Sequence, residues 1–425
     1  MTKQLKILAA QLNPVVGDIA GNNALAETAL SEGKAAGADL VALSEFFMLG
    51  YPAEDLVLKP SAVSQCMDAV KALGALTADG PGLIIGTPWA ENGKLYNSAV
   101  FLANGEILAR YDKRHLPNYG VFDEKRLFDA GEGAHVAYPY RGVNVGIAIC
   151  EDLWFEDVPR AVKAAGADLL IAPNASPWRR SIQEERASAF DRWSDLGLPY
   201  LFVNQVGGQD ELVFDGASYA TNSTHGERCG LVGQFETGGE MVTFDLAAGK
   251  FVGLGVSCTP DSEGWEAEYR ASALGLGDYV NKNKFKGVVL GMSGGIDSAL
   301  TAAIAVDALG ADRVWCVMMP SKYTSDHSLE DARACSEALG VRYDSINIAP
   351  GVDALDTMLA EQFTGTEANT TEENIQSRLR GLTLMALSNK FGHMVLTTGN
   401  KSEICLLYTS PSPRDLSTSR MPSSA

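Results

Sequence analysis

The segment that most restricts the fold of this 425-residue chain is a short loop that contains two glycines. The loop reads Ser-Gly-Gly-Ile-Asp-Ser at 293–298, between an apolar run at 288–292 and an alanine-rich run at 299–309. Glycines let backbone N–H groups approach phosphate oxygens closely, and the start of the following helix adds partial positive charge. The order of strand, loop and helix therefore predicts a parallel α/β unit that binds nucleotide phosphates.

Three side chains of this loop suit a pyrophosphate and the magnesium ion that accompanies it. The Ser293 and Ser298 hydroxyls can hydrogen bond to phosphate, and the Asp297 carboxylate can hold Mg²⁺. The Gly-Lys-Ser/Thr of a Walker loop does not occur here. A glycine turn that simply begins a helix is the structural alternative.

The first half of the chain nearly repeats a segment of its own. Lys-Ala-Ala-Gly-Ala-Asp occurs at 34–39 and again at 163–168, each time before an apolar run. Each copy is typical of a helix end, a glycine cap and a strand. The copies predict equivalent strands that end at 44–45 and at 174–176, although such a turn is also common by itself. Asn-Gly pairs at 92–93 and 104–105 predict tight hairpins, so we expect a mixed sheet covered by helices.

Three ionisable residues follow predicted strands in this first half. Cys150 ends an apolar run at what we expect to be an exposed elbow, where a helix start and a cation would favour the thiolate. Glu45 and Lys113 lie at or just past two other strand ends. A proton acceptor, a cation and a thiol form a complete set for cleaving an amide. Taken singly, Cys150 is also typical of a buried cysteine, Glu45 of a helix-start carboxylate and Lys113 of a solvated lysine, but the three together are not.

Composition excludes several classes of function. The chain has 34 basic against 53 acidic residues, a formal net charge of −19, which argues against nucleic acid or an acidic membrane as the main partner. No apolar run reaches the roughly 18 residues of a membrane span. The seven cysteines are scattered and never form Cys-x-x-Cys, which argues against a zinc site or a disulfide scaffold and favours a cytoplasmic protein.

The chain is predicted to contain two domains and a tail. The first covers 1–255, a linker rich in Ser, Thr, Pro, Asp and Glu covers 256–269, and the second covers 270–403. Within the second, 370–391 is predicted to be a helix that starts with a capping box of Thr370 and Glu373. The segment 404–425 shows no usable periodicity and is predicted to be disordered.

The motifs together resemble known families. The 293–298 loop resembles the N-type ATP pyrophosphatase motif, and the segments around Glu45, Lys113 and Cys150 resemble the carbon–nitrogen hydrolase (nitrilase) superfamily. Together with 113–126, 319–328, 372–381 and 397–403, the whole of 3–403 resembles the glutamine-dependent NAD synthetase family. The resemblance implies an α/β fold, a nitrilase-like α-β-β-α sandwich followed by a doubly wound parallel-sheet ATP pyrophosphatase domain. Because the resemblance stops at Glu403, we expect the second domain to be incomplete.

The same resemblance implies two coupled reactions. In the first domain Cys150 would attack the side-chain amide of glutamine, with Glu45 as proton acceptor and Lys113 beside the oxyanion. Tyr119 and Ser176 match glutamine-holding positions. The basic residue expected six places after Ser176 is Ile182 here, and Arg179 or Arg180 is a candidate to replace it.

In the second domain the resemblance implies adenylation of deamido-NAD by ATP with Mg²⁺ and its amidation to NAD⁺, without a prosthetic group. The implied ATP contacts are Gly291, Met292, Ser293, Gly294, Gly295, Ile296, Asp297, Ser298 and Thr398. The implied contacts to deamido-NAD are Asn374, Arg378 and Glu403, and the metal would be held by Asp297 and Glu403. Asn374 and Arg378 are four residues apart, so they share one polar helix face suited to a pyrophosphate and ribose, with a solvated surface as the alternative.

Other functions remain open at this point. An incomplete chain could act only as a glutaminase or amidase, or as an inactive binding subunit. A different glutamine-dependent ATP pyrophosphatase, such as a GMP or asparagine synthetase, is disfavoured because those pair the loop with other glutaminase folds. The predicted partners are glutamine, ATP, deamido-NAD and a second copy of the chain, with no nucleic acid and no membrane.

Overall fold

The first part of the chain forms two β-sheets that share one core. This description rests on a computed structural model, which describes residues 4–222, 227–254, 262, 264–322, 324–367 and 369–399. The chain divides into two compact units, up to Gly275 and from Leu276. The structure does not describe residues 256–261 and 263 of the predicted linker. It also does not describe Glu403 or the tail at 404–425.

The larger sheet of the first unit has seven strands in the order β15-β14-β1-β2-β3-β4-β5. Strands β1, β2 and β3 are parallel, and the others pair antiparallel. The strands are β1 Gln4–Gln11, β2 Leu40–Ala42, β3 Gly82–Glu91, β4 Lys94–Ala103, β5 Glu106–Asp112, β14 Gly238–Asp245 and β15 Lys250–Val252. The predicted mixed sheet is thus confirmed.

The second sheet has six strands in the order β13-β12-β9-β8-β7-β6, with β7, β8 and β9 parallel. Its strands are β6 Tyr138–Tyr140, β7 Val143–Ile147, β8 Leu169–Asn174, β9 Tyr200–Asn204, β12 Tyr219–Thr221 and β13 Cys229–Gly230. A separate hairpin joins β10 Val206–Gln209 to β11 Leu212–Asp215. Cys229 is disulfide-bonded, whereas Cys66 and Cys150 carry free thiols.

Helices cover the outer faces of the two sheets. The helices of this unit are α1 Ile19–Ala36, α2 Pro60–Leu76, α3 Glu124–Leu127, α4 Asp157–Ala164, α5 Ile182–Phe190 and the first part of α6 Gly264–Lys282. Buried residues of α1 and α2 pack on one face of the larger sheet, and its other face shares a core with the second sheet, α4 and α5. This is an α-β-β-α sandwich, as the resemblance implied.

Local sequence explains the connections that matter for the site. Asn92 and Gly93, and likewise Asn104 and Gly105, all have positive φ, so both predicted hairpins have the two-residue turn that suits the twist of the strands. The helix of each repeated segment ends at a glycine with positive φ and leads into a parallel strand, β2 or β8. The two strand ends meet, because the Glu45 N–H donates to the Asn174 carbonyl at 3.3 Å.

The second unit is a parallel sheet in the order β18-β17-β16-β19. Its elements are β16 Val288–Gly291, α7 Ile296–Leu309, β17 Val314–Met318, α8 Asp326–Leu339, β18 Arg342–Ser345, α9 Ala349–Leu359, α10 Thr370–Phe391 and β19 Met394–Leu396. Helix α10 has the predicted bounds, but its capping box lies one residue earlier than expected. Asn369 caps the helix and Glu372, not Glu373, bonds back to the cap, because the asparagine side chain accepts from the first-turn N–H. No helix within the described ranges is long and apolar enough to cross a membrane.

Candidate active site

The carboxylate of Glu45 lies at the junction of the two sheets of the first unit. Its Oε1 accepts from Lys113 Nζ at 2.7 Å and from Asn97 Nδ2 at 2.7 Å, and its Oε2 accepts from the Ala175 N–H at 2.9 Å. The residue is 1% exposed. Donors from both sheets therefore fix the orientation of a carboxylate that water does not surround.

Lys113 lies between two carboxylates. The residue follows β5, and its Nζ contacts Glu45 at 2.7 Å and Glu124 at 2.8 Å. Burial acts against its charge, but the carboxylates of Glu124 and Glu45 raise the pKa of Lys113 well above its ordinary value. Lys113 is therefore a permanent cation at the centre of the site.

Glu124 is a member of this centre that the sequence did not reveal. It begins the short helix α3, and its Oε1 also accepts from the Tyr51 hydroxyl at 2.8 Å. Burial raises the pKa of Glu124 from 4.5 to about 7, although Lys113 opposes the change. Its surroundings in sequence, Asp-Glu-Lys-Arg at 123–126, are typical of an exposed helix start, so no local signal distinguished it.

Cys150 sits at a sharp turn between β7 and a 3₁₀ turn at Cys150–Trp154. Its φ is +42°, a conformation that a non-glycine residue adopts only where the surroundings impose it. The expected elbow is present, but it is buried, with 5% of Cys150 exposed. Burial and the Glu45 carboxylate raise the pKa of the Cys150 thiol well above its ordinary value, and Lys113 only partly opposes them. The expectation of a favoured thiolate is therefore wrong: the resting sulfur is a thiol.

Asp152 holds the turn that carries Cys150. Its carboxylate accepts from the Ile149 N–H at 3.0 Å, from the Tyr111 hydroxyl at 2.8 Å and from the His115 N–H at 2.9 Å. These bonds join the cysteine turn to the strand and loop on either side of Lys113. The buried Asp152 thus keeps the nucleophile and the cation in a fixed relation.

Beside the cysteine turn lies a cavity of about 530 Å³ lined by Tyr119, Glu151 and Arg114, among others. The Tyr119 hydroxyl lies 3.0 Å from both oxygens of Glu151. Burial and the Glu151 carboxylate raise the pKa of Tyr119. Ser176 is buried two residues beyond the end of β8.

The position that departs from the family pattern cannot supply a charge. Ile182 is 1% exposed and packs into the core at the start of α5. Arg180 points elsewhere, since it pairs with Glu268. Arg179 pairs with Glu185, and that bond, together with the nearby Glu151 carboxylate, raises the pKa of Arg179. Of the two arginines, Arg179 is the one that acts electrostatically on Tyr119 and Glu151.

In the second unit the 293–298 loop follows the parallel strand β16, as predicted. Ser293 Oγ and Ser298 Oγ lie 3.1 Å apart, and the Gly295 N–H donates to Ser293 Oγ at 3.3 Å. Gly294 has φ +85°, and a Cβ there would lie 2.5 Å from the Ser328 carbonyl oxygen. Glycine is required at this position by both conformation and space.

The loop borders a cavity of about 580 Å³ at the carboxyl ends of β16, β17 and β19. Of the predicted ATP residues, those lining it are Gly291, Met292, Ser293 and Thr398. Ile296 and Asp297 are exposed at the first turn of α7. Parallel sheets bind ligands at this edge, so the position suits a nucleotide.

The predicted contacts to deamido-NAD are less well placed. A cavity of about 800 Å³ lies next to the first and shares Thr324 and Arg380 with it. Within the described part of the chain, Asn374 and Arg378 are not among the residues that line either cavity. The structure instead places Arg380 of α10 at both cavities, although Arg380 was not predicted.

The residues present fit magnesium only as a companion of phosphate. In the described ranges no group of three or more His, Cys, Asp or Glu side chains could hold a metal ion by itself. Mg²⁺ is usually bound through one or two carboxylates together with substrate phosphates, and the exposed Asp297 beside the loop suits that arrangement.

Comparisons with known proteins agree with this division. Residues 6–250 match the family model described as carbon-nitrogen hydrolase, and residues 268–411 match the model described as NAD synthase. The amidase from Nesterenkonia sp. AN1, in a mutant showing covalent addition of the acetamide moiety of fluoroacetamide at the active site cysteine, superimposes with a TM-score of 0.52. It is 25% identical and covers 58% of this chain and 92% of its own. Fold and site together define a carbon–nitrogen hydrolase unit followed by an NAD synthase unit.

Two relatives match nearly the whole chain. The glutamine-dependent NAD(+) synthetase of Rhodobacter capsulatus is 47% identical over 411 residues, which are 96% of this chain and 74% of the relative. The structure of glutamine-dependent NAD+ synthetase from Acinetobacter baumannii in complex with ADP has a TM-score of 0.90 and 38% identity, over 96% of this chain and 77% of that one. The chain belongs to the glutamine-dependent NAD(+) synthetase family.

Proposed function

We propose that this protein hydrolyses glutamine in its first unit and uses the ammonia to convert deamido-NAD to NAD⁺ in its second, at the expense of ATP. The observation that carries the first half is the contact of Lys113 Nζ with the Glu45 carboxylate at 2.7 Å, with both charges acting on the buried Cys150 thiol. A thiol, an acceptor for its proton and a fixed cation are what amide cleavage requires.

The chemistry follows from the protonation states. Because the resting Cys150 is a thiol, its proton passes to Glu45 as the sulfur attacks the side-chain amide carbon of glutamine. Lys113 stabilises the negative charge that develops on the amide oxygen. The C–N bond then breaks as Glu45 returns the proton to nitrogen, and ammonia leaves a thioester on Cys150.

Hydrolysis of the thioester uses the same groups in reverse. Glu45 takes a proton from water, the hydroxide attacks the thioester carbon, and the C–S bond breaks to release glutamate. The proton on Glu45 then returns to the sulfur. The donors from Asn97 and Ala175 keep Glu45 in one orientation through both halves of the cycle.

Glutamine would bind in the cavity of about 530 Å³ beside the cysteine turn. A free amino acid carries an ammonium and a carboxylate, which call for one anion and one cation. Glu151, held by Tyr119, offers the anion, and Arg179 offers the cation by exchanging Glu185 for the substrate. Ser176 completes the proposed site, and Ile182 takes no part in it.

The second unit would bind ATP in the cavity of about 580 Å³ beside the 293–298 loop. The two serine hydroxyls and the loop N–H groups suit a pyrophosphate, and Thr398 lines the same cavity. Adenylation gives the nicotinate carboxylate of deamido-NAD a good leaving group, AMP, which ammonia displaces. Mg²⁺ held by Asp297 would neutralise charge on the phosphates. The roles of Asn374, Arg378 and Glu403, the cytoplasmic location and the self-association stay predictions.

Two activities of the purified protein test this proposal. Glutamate release and NAD⁺ formation are measured with ATP, deamido-NAD and either glutamine or ammonium chloride. We expect Cys150→Ala to abolish glutamate release and glutamine-supported NAD⁺ formation, while ammonium-supported formation persists. Glutamine-supported synthesis in the Cys150→Ala variant would contradict the assignment, and a protein that forms no NAD⁺ from either nitrogen source would contradict the second half.

A further inference from the structure

A fully buried ion pair lies beside the candidate active site without touching its reacting groups. Arg186 of α5 and Asp215 at the end of β11 are both inaccessible to solvent. Their contacts are forked, with Nη1–Oδ2 at 3.2 Å and Nη2–Oδ1 at 3.1 Å. Burying two charges has a large desolvation cost, so such a pair adds little net stability. The position of the ion pair indicates a role other than stability.

The ion pair holds the backbone of Ser176. The Ser176 carbonyl accepts from Arg186 Nη2 at 3.1 Å and from Asn204 Nδ2 at 3.2 Å. The Ser176 N–H donates to Asn204 Oδ1 at 2.9 Å. Asn204 in turn donates to Asp215 Oδ1 at 3.2 Å. Both backbone polar groups of Ser176 are thus bound by side chains from other elements.

Both side chains of the ion pair are held in place by further buried contacts. Gln234 donates through Nε2 to Asp215 Oδ2 at 3.2 Å, and Arg186 lies over the Phe202 ring at 5.2 Å. Neither charge can move without breaking several buried bonds. The position of the Ser176 backbone is therefore determined by a rigid group rather than by a surface loop.

The segment that the pair holds is also the one that reaches the reacting groups. The N–H of Ala175 donates to Glu45 Oε2 at 2.9 Å, one residue before Ser176. A hydrogen bond from the same N–H to the Cys150 sulfur opposes the rise in the pKa of the thiol. A shift of the 175–176 backbone would move a proposed glutamine contact and rotate the proton acceptor at the same time.

We propose that Arg186 and Asp215, acting through Asn204, are positioning residues for glutamine hydrolysis. The inference rests on the proposed function of the first unit. The pair fixes the Ser176 backbone, and through the Ala175 N–H it fixes the carboxylate of Glu45. Arg186 touches neither substrate nor reacting atoms, so its effect passes through these two residues.

The test replaces both charges together, Arg186→Met with Asp215→Asn, so that neither is left buried and unpaired. Steady-state glutamate release is measured as a function of glutamine concentration. We expect KM for glutamine to rise and kcat to fall, with kcat/KM lower by about 100-fold, the cost of a misplacement of about 1 Å. Ammonium-supported NAD⁺ formation by the same preparation should stay within about twofold of wild type, because it bypasses the first unit.

The change in KM separates positioning from damage to the fold. A smaller fraction of folded enzyme lowers the apparent kcat and leaves KM unchanged. Arg186→Lys provides a milder variant, since lysine keeps the charge near Asp215 but cannot fork to the Ser176 carbonyl as well. As a matched control, Arg160→Met with Asp195→Asn removes an exposed ion pair of the same unit, and we expect no change in either constant.

Each outcome decides the inference. The inference is overturned if the folded double variant, or the folded Arg186→Lys variant, has the KM and kcat of the wild type. It is also overturned if neither variant folds, because the ion pair would then be purely structural. If the double variant alone fails to fold, a raised KM in Arg186→Lys supports the inference. Absence of glutamine hydrolysis in the wild-type protein would instead overturn the proposed function.

Discussion

Replacing Glu124 by Gln tests the electrostatics of the buried centre. Burial and the nearby Glu45 carboxylate raise the pKa of Glu124 from 4.5 to about 7, against the effect of Lys113 and Tyr51. A carboxyl group with a raised pKa binds more protons in the native than in the unfolded state between these two values. The native state therefore loses stability as pH rises through that window.

The size of the effect follows from the shift. At 1.36 kcal/mol per pKa unit, the change from 4.5 to about 7 corresponds to about 3.4 kcal/mol in total, of which about 2.5 kcal/mol falls between pH 5 and 8. Gln keeps the oxygen that accepts from Lys113 and Tyr51, and its NH₂ group replaces Oε2, which has no hydrogen-bond partner in the described structure. We expect the stability of Glu124→Gln relative to wild type to increase by about 2.5 kcal/mol from pH 5 to 8.

The measurement is urea denaturation at pH 5, 6, 7 and 8, followed by tryptophan fluorescence. Of the six tryptophans only Trp315 lies in the second unit, so the signal reports mainly on the first. The exposed Glu184→Gln is the control, for which we expect a difference within about 0.5 kcal/mol at every pH. Parallel pH profiles for wild type and Glu124→Gln would refute the reasoning, and a slope of opposite sign would mean that Lys113 keeps Glu124 ionised.

Three further substitutions follow from the two sites. Glu45→Gln should lower glutamate release by about 10²–10⁴-fold, because it removes the proton acceptor, and should leave ammonium-supported NAD⁺ formation intact; a loss below tenfold would contradict that role. Gly294→Ala should raise KM for ATP by about tenfold or more, since its Cβ would lie 2.5 Å from the Ser328 carbonyl oxygen. Gly340→Ala is the control, because Gly340 also has positive φ but an added Cβ would have no atom within 4 Å. An equal rise in KM for ATP in that variant would indicate general backbone strain. Tyr119→Phe should raise KM for glutamine about three- to tenfold with kcat unchanged, measured by glutamate release, and a fall in kcat alone would argue against substrate binding.

Much of the fold could be predicted because local signals and tertiary structure agree. Asn-Gly turns gave both hairpins, and the loop at 293–298 gave the strand, turn and helix of the second unit. The capping box of α10 was placed one residue late because Asn369 and Thr370 are both good caps by sequence.

The supporting groups of the site could not be predicted. Glu124, Asp152 and Arg186 are ionisable residues, and such residues are buried only rarely. Their burial depends on partners that are remote in sequence, such as Asp215 for Arg186. The same limit explains Cys150, whose elbow was predicted but whose thiol is protonated, because its burial depends on the larger sheet packing against the sheet that carries it.

The pairing of β1 with β14 has a consequence for biosynthesis. Eight residues of β1, Gln4 to Gln11, pair antiparallel with β14, which is made roughly 230 residues later. At about 5–20 residues per second, the ribosome needs on the order of 10–50 s to deliver that partner. During this interval the apolar first strand has one open edge, which is the kind of surface that chaperones cover and that promotes aggregation. The nascent chain thus carries an unpaired edge on β1 until Gly238–Asp245 has been made.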